Sequence, residues 1–352
     1  MFSQPIIQTI RRYRSLQTDT ISALPIVILM PHSACNCRCM MCDIWKGNKN
    51  LKQLTETDIS SLMTTLKKFG TQQVVMSGGE ALLNSNFFRF CELLSDSNIQ
   101  VTLLSTGLTL QKNADNLVRW VHDIIVSLDG NEQFHDNIRG ISGAFQKLKV
   151  GVRTLKEMRP GYQISARTVI HKLNFRRWPH IIDAAKKIGI DSISFLPADV
   201  SSEAFNRSIT WDKPRQDQIL LTETELSDMS RVIAGLEKEH QEDFQSGFIA
   251  ESPDKIWKIH DYYAAFYGQN PFPYKKCNAP WVSTVIEADG EVRPCFFHAP
   301  IGNIREHSLE EILNGPEAIS FRRNLDVQNN GTCVKCVCYL NLSPGTNPLK
   351  PY

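Results

Sequence analysis

Six short apolar runs, near residues 26–30, 73–77, 99–105, 124–128, 162–170 and 192–196, alternate with helical patterns at 56–69, 86–97, 111–121, 144–158 and 176–188. Parallel strands cannot be joined by a tight hairpin, so strand-like runs separated by single helices read as a parallel sheet with the helices as crossovers. Thr55 with Asp58 has the form of a capping box opening the first helix, and Gly70 closes it. A chain of 352 residues, 42% hydrophobic and 22% charged, can build one large core or two domains. The expected fold class is α/β with a barrel-like parallel sheet. In such barrels ligands bind at the C-terminal ends of the strands, so the polar residues that follow the apolar runs are the first candidates for function.

Ten cysteines are present, and Cys35, Cys39 and Cys42 have the spacing CxxxCxxC. Thiolates bind iron–sulfur clusters, and three of them leave one iron of a four-iron cluster without a protein ligand, as open catalytic metal sites leave a place for substrate. Val74-Val-Met-Ser-Gly-Gly-Glu80 reads as a strand ending in a glycine pair and a carboxylate. Gly78 and Gly79 would let the backbone approach a ligand closely, and Glu80 can accept from an ammonium, although Ser-Gly-Gly is also an ordinary turn. Ser105-Thr106-Gly107 ends the next strand. Ile124-Ile-Val-Ser127-Leu-Asp129-Gly130 ends the one after, and His135-Asp136-Asn-Ile-Arg139-Gly140 follows. Arg167 lies mid-strand within Ile164 to Ile170. A charge in an apolar strand needs a partner if it points inward, so Arg167 either holds an anionic group or is a solvent-facing or salt-bridged arginine.

Together these motifs resemble the radical S-adenosylmethionine (SAM) enzymes of the SPASM and twitch group. The resemblance covers roughly residues 26–199 and 275–340 and implies a partial (βα)6 TIM-like barrel. It implies that Cys35, Cys39 and Cys42 hold a 4Fe-4S cluster whose open iron chelates SAM. An electron, delivered by a donor such as flavodoxin or ferredoxin, would cleave SAM to a 5'-deoxyadenosyl radical that takes hydrogen from an unreactive carbon. By the same resemblance, Gly78, Gly79 and Glu80 receive the SAM amino group, Ser127 the ribose and Arg167 the carboxylate. Thr106 and Arg139 belong to the same motifs, and Leu196 and Met41 would touch the adenine. Ala81 stands where the family usually has proline, and Met41 where an aromatic is common.

A second cysteine group lies near the C-terminus. Cys277 and Cys295 flank Asp289-Gly290, itself set between alternating apolar runs, which is a hairpin signal that brings the two thiols close. Cys333, Cys336 and Cys338 follow. This pattern resembles the SPASM and twitch extension. Five cysteines rather than seven fit the twitch variant, with one auxiliary 4Fe-4S cluster held by Cys277, Cys295, Cys333 and Cys336. Cys338 could replace one of them, and a structural zinc on four thiolates is the alternative. Cys37 and Cys91 read as non-ligands.

The remaining features exclude more than they assign. Net charge is +2, without the basic surplus that marks nucleic-acid partners, and Arg11, Arg12 and Arg14 read as a solvated helix face. No run approaches the roughly 20 apolar residues of a membrane span. Thr18, Asp19, Thr20 and Ser22 interrupt any export signal behind Arg11-Arg12, so a cytoplasmic location is expected, where cysteines bind metals rather than pair. The expected organisation is an N-terminal extension at 1–25, a barrel at 26–199, a linker with one helix, 223–239, at 200–275, and an auxiliary-cluster domain at 276–352. The substrate is expected to be a small molecule or a peptide. About 25 residues precede the first strand, which leans toward a small molecule, or a peptide delivered by a separate partner, and leaves no room for a cobalamin domain. Maturation of a ribosomally made peptide or protein is one alternative, and a non-catalytic iron–sulfur or zinc-binding protein is another.

Overall fold

The computed structural model describes residues 4–207 and 209–349. Among them nine strands form one sheet: β1 Ile26–Leu29, β2 Gln73–Met76, β3 Gln100–Ser105, β4 Asp123–Ser127, β5 Ile164–Ile170, β6 Ser192–Pro197, β7 Ser283–Ile286, β8 Glu291–Arg293 and β9 Gly302–Asn303. Their order is β6-β5-β4-β3-β2-β1-β7-β8-β9. The first six pair in parallel in chain order, as the alternation of apolar runs and helices requires. The Asp289-Gly290 hairpin is present, with Val285 opposite Arg293. Its first strand, however, does not stand apart: β7 pairs in parallel with β1, Ile26 beside Ser283 through Leu29 beside Ile286. The sheet therefore runs unbroken across the division expected at residue 276.

Helix α1 Gln4–Thr18 precedes the sheet, and α2 Glu56–Phe69, α3 Phe87–Ser95, α4 Ala114–Trp120, α5 Glu132–Arg139, α6 Ala144–Met158 and α7 Trp178–Ile188 lie in the crossovers between strands. The α2 capping box forms as read: Asp58 N–H donates to Thr55 Oγ1, and Thr55 N–H to Asp58 Oδ2. Behind the strands the helices bury Leu62, Leu66, Phe87, Phe90, Leu148, Trp178 and Ile182 against Val74, Leu103, Ile124, Val126 and Ile193. Cys91 is fully buried in this layer, a small hydrophobe as expected. On the opposite face, alternate residues of β4, β5 and β6 remain half-buried, and these line the open side of the partial barrel.

Two expectations need correction. Arg12 is not on a solvated face: it is 4% exposed, with Nη1 donating to Thr346 O at 2.6 Å and Nη2 to Gln72 Oε1 at 2.9 Å. The segment 200–275 holds more than one helix. Besides Glu223–Glu239, the aromatic stretch forms the helix Pro253–Ala265, whose Tyr262 and Tyr263 are buried against the end of β6. The C-terminal part is tied back to the start of the chain. Arg322 Nε donates to Asp19 O, Trp281 Nε1 to Asp19 Oδ1, and Asn314 exchanges two hydrogen bonds with the Ile21 backbone.

Candidate functional site

The loop after β1 carries Cys35, Cys39 and Cys42, and nearly every residue of it is held from outside. Ala34 O accepts from Glu80 N–H at 2.9 Å, and Cys35 exchanges two hydrogen bonds with the Asn48 side chain. Arg38 and Met40 donate their N–H groups to Arg139 O and Ile138 O, the last carbonyls of α5. Trp45 Nε1 donates to Cys42 O at 2.9 Å, and Arg215 donates to Met40 O. Arg207 Nη2 lies 3.5 Å from Met41 O. Gly79 passes so close to the loop that a Cβ on it would lie 2.1 Å from Ala34 O. Gly140, at φ +65°, ends α5 where a Cβ would meet Arg38 O at 2.9 Å, so the motifs around both glycines are contacts with the cysteine loop. Cys37, read as a non-ligand, is buried, and its hydrogen bonds to Cys35 and Cys39 push its pKa up. Cys39 is drawn down to about 6, first by its hydrogen bond with Cys37 and then by the Arg139 charge, against burial.

Along the strand ends, three half-buried residues form one row: Ser127 pairs with Arg167, and Arg167 with Ser194. Arg167 Nε donates to Ser194 Oγ at 3.2 Å. Leu196, beside Val169, lies two residues further up the same face. Glu80 is fully buried: Thr106 Oγ1 at 2.6 Å, Thr106 N–H at 2.8 Å and Ser105 Oγ at 3.0 Å donate to Oε2, and Leu82 N–H to Oε1. Burial raises its pKa against these donors. An ammonium at Glu80 would share the carboxylate with the end of β3. Thr106 Oγ1 also lies 2.9 Å from the Asn36 side-chain amide, with its single hydrogen already given to Glu80. Arg139 reaches Cys39: its Nη1 lies 3.5 Å from Cys39 Sγ and its Nη2 2.6 Å from Asp129 Oδ2.

The second thiol set comes together from three segments. Cys277 precedes β7, Cys295 follows β8, and Cys333 and Cys336 lie in and just after the helical turn Gly331–Val334. They are near enough to raise one another's pKa: burial, then Cys277 and Cys333, push Cys295 up to about 12, and burial with Cys277 pushes Cys333 to about 11. Cys338 is exposed, with its carbonyl accepting from Cys336 Sγ. His298 Nε2 lies 3.3 Å from Cys333 Sγ, and Lys275 Nζ donates to Val334 O at 2.6 Å. Beside the second set lies a cleft of about 350 Å³ lined by Asp199, Ser202, Phe297, Lys335 and Cys336. One wall of it is the buried pair Asp199–Arg207, 2.6 Å apart. The sequence offered no reading of Arg207, Asp199, Asn48, Trp45 or His298. Only Trp45, three residues after Cys42, carried a local signal.

The residues fit iron–sulfur clusters. Three thiols sit on one braced loop, with a glycine cradle at Gly79. Comparison with known families matches residues 29–185 to the radical SAM superfamily and residues 277–337 to SPASM, an iron–sulfur cluster-binding domain. The chain thus carries a radical SAM domain and a SPASM domain. As a radical SAM enzyme with a SPASM domain, it uses SAM, a 4Fe-4S cluster and auxiliary iron–sulfur binding. It is 24% identical over 322 residues to an AdoMet-dependent heme synthase of Methanosarcina barkeri, covering 86% of each chain. It is 23% identical to the sporulation killing factor maturation protein SkfB of Bacillus subtilis, covering 94% of this chain and 73% of that protein. In fold it resembles Streptococcus suis SuiB bound to precursor peptide SuiA, with a TM-score of 0.62 at 14% identity, covering 92% of this chain and 73% of that one. No helix among the described residues is long and apolar enough to cross a membrane.

Proposed function

We propose that this radical SAM enzyme oxidises a small molecule or a peptide segment held in the cleft beside its second thiol set, with 26–199 as the SAM core, 200–275 as a helical link and 276–352 as the auxiliary domain. Cys35, Cys39 and Cys42 would hold the SAM cluster, and Cys277, Cys295, Cys333 and Cys336 one auxiliary cluster. When bound, the first cluster with SAM supplies a hydrogen-abstracting radical and the second an acceptor for one electron. Ser127 and Arg167, side by side on adjacent strands, would orient the SAM ribose and carboxylate, while Leu196 and Met41 offer apolar contacts to the adenine. The Gly78-Gly79 backbone would admit the amino end beside Glu80. Arg139 serves the Cys39 thiol rather than SAM. Asp199, on the cleft wall and fixed by Arg207, would help hold the reacting carbon in place, which in any cofactor enzyme supplies much of the rate.

The observation that carries this reading is the cleft itself, with Cys336 on one wall and, on the other, Asp199 paired to the arginine that contacts the Met41 carbonyl beside Cys42. Similarity to SkfB over most of the chain favours a second reading, maturation of a peptide. A flavodoxin or ferredoxin would be the electron donor, and the cytoplasm the place of action. The test is iron, sulfide and zinc per chain after reconstitution without oxygen, followed by 5'-deoxyadenosine formation from SAM. About eight irons with SAM cleavage support the proposal. About four irons and one zinc would reduce the C-terminal domain to a clamp and remove the electron acceptor. Deuterium passing into 5'-deoxyadenosine from a labelled peptide, but not from labelled small molecules, selects the second reading.

A further inference from the structure

Arg139 is a buried cation aimed at a thiol of the first set. Its side chain is 9% exposed and that of Asp129 is not exposed at all. One guanidinium nitrogen lies 3.5 Å from Cys39 Sγ, and the other makes an ion pair by distance, 2.6 Å, with Asp129 Oδ2. The placement is rigid. The last carbonyls of α5, those of Ile138 and Arg139 itself, accept from Met40 and Arg38 on either side of Cys39, so the helix carrying the guanidinium and the loop carrying the thiol are stitched at two points. The other titratable groups facing Arg139, His135 and His171, are fully buried, and burial followed by the Arg139 charge lowers each to about 3, so both are neutral. Asp129 is the carboxylate that faces the arginine; burial pushes its pKa up, and Arg139 first, then the Val169 N–H, oppose that.

We propose that Arg139, held by Asp129, is a positioning residue that sets the reduction potential of the cluster bound at Cys35, Cys39 and Cys42. The inference rests on the cluster reading of that loop. Reduction adds negative charge, and a cation whose N–H points at a ligating sulfur stabilises the reduced form most; hydrogen bonds to the sulfurs and net charge are the terms that move such potentials. Asp129 opposes the same charge from the far side. The pair thus holds the potential between the values that a bare arginine and no arginine would give.

The two residues should act with opposite sign, which a merely structural role would not do. The experiment is a redox titration, followed by electron paramagnetic resonance, of the full chain reconstituted without oxygen, with the auxiliary signal as internal reference. Arg139→Gln should cut the reduced-to-oxidised ratio of the SAM cluster at a fixed potential about tenfold, equivalent to about 59 mV for a one-electron couple. Asp129→Asn should raise that ratio, and Arg139→Lys should stay near the parent. If both substitutions move the potential the same way, or neither moves it with iron complete, the inference fails. If Arg139→Gln loses iron, the upward shift in Asp129→Asn still decides. Loss of iron from Arg139→Lys as well, with Asp129→Asn unshifted, would make the arginine a brace and overturn the proposal. A parent protein that binds no iron at the loop would overturn the cluster reading and this inference with it.

Discussion

At the scale of single residues, the strictest demand falls on Gly79. A methyl there would sit 2.1 Å from Ala34 O and 3.0 Å from Cys35 N, backbone atoms that no side-chain rotation can move. Gly79→Ala should therefore displace the thiol loop, lowering iron from about eight to about four per chain and ending SAM cleavage, while the auxiliary absorbance stays. Cys39→Ala should give the same result, whereas Cys37→Ala should keep full iron and activity; iron lost from Cys37→Ala would mean that the ligand set is wrongly drawn. The spacing of the cysteines and the GGE and SLDG strand ends were legible because they are short, local patterns fixed by covalent neighbours. Arg207 was not, since its relation to Met41 joins positions 166 residues apart, and no spacing rule spans that distance. Glu80 shows a different limit. Its residue type was readable, but the number of donors already around it depends on the end of β3.

At the scale of elements, α2 and β6 each depend on one carboxylate. Asp58 closes the α2 capping box and takes both Nε and Nη2 of Arg305, at 3.1 and 2.9 Å. Asp58→Ala should destabilise the protein by about 1–2 kcal/mol, most of it from the cap because Arg305 is half-exposed, as read by chemical denaturation. Glu251 lies just past the segment that pairs with β6 through Ile249, and its Oε2 accepts from Phe195 N–H at 3.1 Å. Burial raises its pKa from 4.5 to about 7, against Phe195 N–H and Arg167. The folded state then binds this proton more tightly than the unfolded chain, so the stability it contributes is fully present below about pH 4.5 and is lost as pH rises through about 7. Glu251→Gln should lose that decline, so the stability difference between variant and parent should grow across that window and level off above it; a constant difference would contradict the assignment. The strands and five crossover helices were legible through their periodicity. The helix Pro253–Ala265 was not, because its crowded aromatics, Trp257, Tyr262 and Tyr263, blur the helical period. Helix α5 lay hidden inside the HDxxRG stretch, whose polar residues spoke for a site rather than a helix.

At the scale of the whole molecule, the two cluster-binding parts share one sheet and one set of ties. Asn278 exchanges side-chain hydrogen bonds with both backbone groups of Leu342, and Arg322, Trp281 and Asn314 reach back to Asp19 and Ile21. The molecule should unfold in one transition, with far-ultraviolet circular dichroism and auxiliary-cluster absorbance falling together; separated midpoints would mean that the two parts unfold independently. The sequence located both cysteine groups but could not tell that β7 would join β1, because an apolar run does not say which edge it will cover. That pairing has a consequence for how the chain is made. Strand β1 leaves the ribosome first among the strands, yet the partner on its second edge is synthesised more than 250 residues later. Until then a buried-type strand presents open amides and carbonyls to whatever is nearby, so the earliest strand to be born is among the last to be safe from pairing with a stranger.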